Sequence, residues 1–69
     1  MFIEIKNRNN EVIIRGEYRD LLEAIEKNKY NLRNADLNGK CLRNIDLEGG
    51  ILSFVDFRDC DLKYENKKR

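Results

Sequence analysis

The sequence predicts a mainly β chain: a coil that turns a corner every five residues, preceded by a β-hairpin and a short α-helix. Residues 30–64 divide into seven five-residue frames without a slip, and each is centred on Leu or Phe: Leu32, Leu37, Leu42, Leu47, Leu52, Phe57 and Leu62. The residue two places before each centre is usually small or apolar, and the one just before it is often Asp. This spacing fits neither the period of about 3.6 of an amphipathic helix nor the period of about 2 of a half-buried strand. A helix would spread these leucines around its circumference, whereas a chain that corners every fifth residue buries one large and one small side chain per side.

Ahead of the repeat, Phe2-Ile3-Glu4-Ile5-Lys6 and Glu11-Val12-Ile13-Ile14-Arg15 read as two strands joined by Asn7-Arg8-Asn9-Asn10. Ile3 and Ile5 alternate with charged residues, and the Asn-rich link suits a turn with positive φ. Three successive β-branched residues in the second strand predict cover on both faces or further pairing. Gly16 is expected to end that strand. Tyr18 to about Asn28 then reads as a helix, with Tyr18, Leu21, Leu22 and Ile25 forming one apolar stripe. Glu23 and Lys27 are spaced as a favourable i, i+4 pair, and Asn28 is a reasonable C-terminal stop. So short a helix is marginal alone, and its stripe is expected to pack on the first turn of the coil, against Leu32, Leu37, Leu42 and Leu47.

The frames Ala35-Asp36-Leu37, Ile45-Asp46-Leu47, Val55-Asp56-Phe57 and Cys60-Asp61-Leu62 resemble the A(D/N)LXX motif of the pentapeptide-repeat family. The resemblance implies a right-handed quadrilateral β-helix, with four pentapeptides per coil and about two coils. The chain then divides into a hairpin and capping helix over 1–29, the repeat over 30–64 and a basic tail over 65–69, all within one domain. The lead-in from Ile3-Glu4-Ile5-Lys6 to Leu21-Leu22-Glu23-Ala24-Ile25 is also similar to that of short phage-encoded pentapeptide proteins. A solenoid exposes apolar residues at each end, so the lead-in is expected to plug the first coil.

Sixty-nine residues lie near the lower limit for a chain that folds alone, and such a core needs a cap, a staple or a partner. The 14 basic and 13 acidic residues nearly cancel, which argues against a polyanion binder and equally against a strongly acidic DNA mimic. No long apolar run is present, so no membrane span and no signal peptide are expected. An intracellular bacterial or phage protein, in the cytoplasm of a bacterial host, is the simplest reading. The two cysteines should not bridge: Cys60 takes an inward position and Cys41 an outward one, so their Cβ vectors diverge. Without histidine they also make a poor zinc site.

Stacking by fours places Leu52 over Leu32, Phe57 over Leu37 and Leu62 over Leu42. In the tail, Lys67 falls where an eighth Leu belongs, so the second coil is left open with Leu52, Val55, Phe57 and Leu62 at its end. Such an apolar end predicts a head-to-head homodimer through the C-terminal coil, and the family resemblance implies end-on dimers as well. A monomer whose tail folds back over that end is the alternative.

Catalysis is poorly supported, and no catalytic, cofactor or metal residues are assigned. Asp36, Asp46, Asp56 and Asp61 recur with the motif, which suits hydrogen bonding to backbone amides at the corners. Gly39, Gly49 and Gly50 suit the corners themselves. Ile51 and Phe54 break the polar pattern of outward positions, and Tyr64 adds a further aromatic. They serve either as exposed interface anchors or as a surface covered by the hairpin or a dimer mate. Lys40 occupies a small inward position, and either its side chain snorkels outward or the coil is distorted there.

The resemblance implies a non-enzymatic protein-binding module, since some pentapeptide-repeat proteins occupy the DNA site of gyrase. Short phage relatives suggest an anti-CRISPR or other anti-defence inhibitor, acting by occlusion or partial DNA mimicry on a host nucleic-acid-handling complex. Candidate contacts are Asp36, Asp46, Glu48, Asp56, Asp59 and Asp61, with Ile51, Phe54 and Tyr64 as anchors. The alternative is a structural domain whose only role is self-association. Direct nucleic-acid binding through Lys63, Lys67, Lys68 and Arg69 is the weakest reading.

Overall fold

A computed structural model describes residues 1–63; Tyr64, the tail 65–69 and the readings that rest on them lie outside the described residues. The chain opens with strand β1 (Phe2–Lys6) antiparallel to β2 (Val12–Glu17), with a register irregularity between Ile5 and Lys6. Asn7 builds the turn between them. Its side-chain carbonyl accepts from the Asn9 and Glu11 amides at 2.9 and 3.0 Å, and its Nδ2 donates to Glu11. Asn10 takes the positive φ, 69°, which asparagine tolerates better than most residues.

Gly16 does not end the strand as expected: it lies within β2, opposite Ile3. A Cβ at this position would stand 3.4 Å from the Tyr18 ring, so the glycine leaves room for the aromatic to lie against the strand. The β-branched run is also covered less than expected, because Val12 is exposed, Ile13 half-buried and Ile14 buried.

Helix α1 spans Leu21–Lys27, three residues shorter at its start than the apolar spacing suggests. Asp20 sets that start. Its carboxylate accepts the Glu23 amide at 2.9 Å, and Glu23 turns back to accept the Arg19 amide, a reciprocal cap on the helix N-terminus. Glu23 consequently approaches Arg19, at 3.9 Å, rather than Lys27. Asn28 ends the helix without a left-handed backbone, at φ −118°. Its side chain donates to the Ala24 carbonyl at 2.7 Å and to the Tyr18 hydroxyl at 3.0 Å. A 3-10 turn over Lys29–Asn31 delivers the chain to Leu32. The most buried helix residues are Ala24 and Ile25, with Leu21 and Leu22 at the margin.

From Leu32 the chain corners every five residues. Each corner closes with an amide donating three residues back: Ala35 to Leu32, Lys40 to Leu37, Ile45 to Leu42, Gly50 to Leu47, Val55 to Leu52 and Cys60 to Phe57, at 2.9–3.3 Å. The third residue of each turn has positive φ: Asn34, Gly39, Asn44, Gly49, Phe54 and Asp59, all between 59° and 77°. Positive φ at that place is the signature of a type II turn, which favours Gly and Asn.

Successive passes lie parallel and twenty residues apart, with Asp36 beside Asp56 and Cys41 beside Asp61. Amides of Leu37, Gly39, Leu42 and Asn44 donate upward to Asp56, Arg58, Asp61 and Lys63, and those of Asp56 and Asp61 donate back to Ala35 and Lys40. Leu37 and Phe57 therefore share a side. The β character of the coil is local among the described residues. The sides form single bridges rather than strands, and the only sheet is the hairpin. With a corner every five residues, each side is too short for a ladder.

The lead-in is joined to the coil by backbone as well as by packing. Asn7 pairs with Ala35, the Asp36 amide donates to Lys6, the Arg8 amide to Asn34 and the Ile51 amide to Lys29, at 2.8–2.9 Å for the last three. Glu26 of the helix accepts the Asp46 amide. The core is Ile5, Ile14, Ala24, Ile25, Leu32, Ala35, Leu37 and Leu42. Burial falls away from that plug: Leu47, Leu52, Val55 and Phe57 are partly buried, and Leu62 is 47% exposed.

A Cβ at Gly39 meets nothing within 4 Å, yet Gly39→Ala should cost about 1–2 kcal/mol through the left-handed backbone alone, while Gly39→Asn costs less. Leu37→Ala, at a fully buried side chain, should cost roughly 2–5 kcal/mol. Urea denaturation midpoints check both.

Candidate functional site

The acidic residues picked out in the sequence divide by what holds them. Asp36, Asp46, Asp56 and Asp61 each accept the backbone amide two residues on, from Asn38, Glu48, Arg58 and Lys63, at 3.0–3.1 Å. A short carboxylate bonded in this way closes an Asx turn, and it explains the Asp just before four of the seven centres, Leu37, Leu47, Phe57 and Leu62. Two of the four are also neutralised. Arg58 forks onto Asp56 at 3.0 and 2.9 Å, and Arg43, from the first pass, bonds Asp61 on the second. Glu48 and Asp59 are exposed, with Asp59 at a left-handed corner.

Asp36 and Asp56 lie side by side, and because Arg58 pairs with Asp56 they do not form a bare carboxylate ladder. Among the described residues no group of three or more His, Cys, Asp or Glu side chains is placed to hold a metal ion. Cys41 is exposed and Cys60 half-buried, both free, and the Cys60 thiol donates to the Leu37 carbonyl.

Ile51 and Phe54 are exposed, at 45% and 67%, so the hairpin does not cover them. Its tip reaches only the backbone there, through Arg8 donating to the Phe54 carbonyl at 3.3 Å. The Arg33 guanidinium lies 5.8 Å from the centre of the Phe54 ring. Of the residues assigned to a dimer surface, Leu62 is exposed, while Leu52, Val55 and Phe57 pack partly against the core.

Lys40 is exposed and its backbone keeps both its corner bond and its bond to Asp61, so the side chain snorkels and the coil is not distorted. With Glu4, Ile5, Lys6, Leu21 and Asp36 it lines a cavity of about 220 Å³ between hairpin and coil.

Sequence reasoning missed Tyr30, 63% exposed, and the cations around Phe54. The available signal was the absence of any carboxylate from residues 27–34 and 49–55, against a charged fraction of 39% overall.

The guanidinium of Arg58, with its backbone amide, holds the Asp56 carboxyl far below the ordinary range. Arg43 and the Lys63 amide lower that of Asp61. Because the folded values are depressed, these bonds stabilise the fold above the unfolded carboxyl pKa of about 4, and the contribution is lost as pH falls below it. Asp56→Asn should lower stability at neutral pH, where the charged pair contributes, and flatten the acid side of the stability profile between about pH 4 and pH 2, where the parent chain loses that contribution. Thermal melts across that range check this.

No helix among the described residues is long and apolar enough to cross a membrane. No curated protein and no solved structure matches the chain. A family model for pentapeptide repeats does match, in eight copies over residues 31–63, the stretch in which the corners, the Asx turns and the twenty-residue register occur. The chain is therefore a pentapeptide-repeat protein, with the β-helix type of fold that such repeats build.

Proposed function

We propose that this chain is a non-enzymatic protein-binding module that acts as a phage-type inhibitor. In this reading it blocks a bacterial nucleic-acid-handling complex, of the gyrase or CRISPR kind, in the bacterial cytoplasm. The observation that carries the reading is a rigid repeat scaffold, of a family suited to protein interaction, that holds Ile51 and Phe54 exposed. Exposed aromatic and aliphatic side chains on a stiff frame are the usual anchors of an interface.

The coil is taken as four-sided, because passes twenty residues apart hold four five-residue frames each; its right hand and about two turns are what the resemblance to the family implies. Its carboxylates favour occlusion over DNA mimicry. Asp36, Asp46, Asp56 and Asp61 are committed to their own corners, and Arg58 and Arg43 neutralise two of them. Glu48 and Asp59 remain as accessory contacts, and Tyr64 completes the proposed set.

A homodimer through Leu52, Val55, Phe57 and Leu62 belongs to the same reading. The decline in burial from Leu42 to Leu62 supports it, since covering such an end contributes about 1.5–3 kcal/mol for each large side chain. If self-association were the only role, the surface anchors would have no purpose beyond it.

Purified chain should arrest gyrase supercoiling or CRISPR target cleavage near stoichiometric ratio. Full rates in both with excess chain contradict the inhibitor and favour the self-association domain. Sedimentation at high micromolar concentration should give twice the chain mass, and Leu62→Asp should return it to one. A monomer before substitution removes the dimer.

A further inference from the structure

We propose that the side built from residues 29–34 and 50–54, with Arg8 at its edge, is the partner-contacting face, and that it receives an acidic protein surface around Phe54. The proposal rests on the reading of the chain as a protein-binding module and assigns the chemistry of its partner. The two segments lie together, since the Ile51 amide donates to Lys29 and the Asn34 amide to Ser53, both at 2.8 Å.

Phe54 breaks the repeat in two ways. At φ 61° it holds a corner where its counterparts are Asn34, Gly39, Asn44, Gly49 and Asp59, and a bulky residue at positive φ is a backbone outlier. It is also 67% exposed, so the strain is not offset by burial within the chain. A strained residue whose side chain is left to solvent points to a use outside the fold.

The charge on this side gives the partner's sign. Segments 29–34 and 50–54 contain no carboxylate, while Lys29 and Arg33 lie on them and Arg8 reaches the Phe54 carbonyl. Among the described residues none of these three cations forms an ion pair. Instead, Arg33 lies over the Phe54 ring, leaving the other ring face and the guanidinium edges available. Tyr30 and Ile51, 63% and 45% exposed, extend the apolar area.

The occupant that fits is a protein surface offering an apolar pocket rimmed by Asp or Glu, because aromatic and Arg side chains are the residue types that carry interface energy. A nucleic-acid strand fits less well. Three cations neutralise few phosphates, and a strand leaving this side meets Asp36, Asp46 and Asp56 on the neighbouring ones.

The test is a titration of the isotope-labelled full chain, followed by amide shifts, with two probes: a capped peptide of alternating Glu and Leu, and a short oligothymidylate. Saturable shifts confined to residues 29–34 and 50–54 are expected with the peptide, and affinity should fall at least about tenfold in Phe54→Asn and in Arg33→Glu. Phe54→Asn should also melt higher than the parent chain, since Asn suits the corner. Tighter binding of the oligothymidylate at this side, peptide shifts on another side, no saturable peptide shift at all, or a lower melting point for Phe54→Asn each overturns the assignment. None of these outcomes decides the inhibition assay, so the broader reading stands or falls separately.

Discussion

The left-handed backbone at every fifth residue is the constraint on which the rest of the coil depends. A right-handed chain of L-residues does not turn this way without cost, and the sequence meets that cost with Asn or Gly at four of six described corners. Once the corner is set, the Asx bond of the aspartate that follows four of the six described corners fixes the entry to the next side. The Leu or Phe after it then points inward. Burial, hydrogen bonding and the twenty-residue register all follow from one local geometry repeated without a slip.

The plug at the start is the second requirement. Two short passes of coil cannot enclose a core alone, and the buried side chains are shared between lead-in and first pass: Ile5, Ile14, Ala24 and Ile25 from one, Leu32, Ala35, Leu37 and Leu42 from the other. Backbone bonds at Lys6, Asn7, Arg8 and Lys29 satisfy polar groups that the open mouth of the coil would otherwise expose. No bond of this kind is seen among the described residues at the far end, and burial declines accordingly toward Leu62.

Much of this was legible in the sequence, because a period of five has few physical solutions. The frame centres and the corner role of the aspartates came from spacing, while the stacking of Leu37 with Phe57 came from the four-sided coil that the family resemblance implies. The helix start did not, because the apolar stripe masked Asp20, whose cap acts through a single side-chain bond. Gly16 misled for a related reason: a glycine that makes room for a ring looks the same in sequence as one that ends a strand. The cationic side around Phe54 was hidden by overall charge balance, since its acid-free segments lie twenty residues apart and meet only after the chain has turned. Phe54 itself was visible as a departure from the pattern, though not its backbone strain.

The stacking of successive passes is tested most directly by scalar couplings across hydrogen bonds in the labelled chain. The structure predicts couplings from the Leu37 amide nitrogen to the Asp56 carbonyl carbon and from Leu42 to Asp61, the partners seen at 3.0 and 2.8 Å. Couplings from these amides to carbonyls four residues earlier would show a helix in place of the coil and contradict the account at its base.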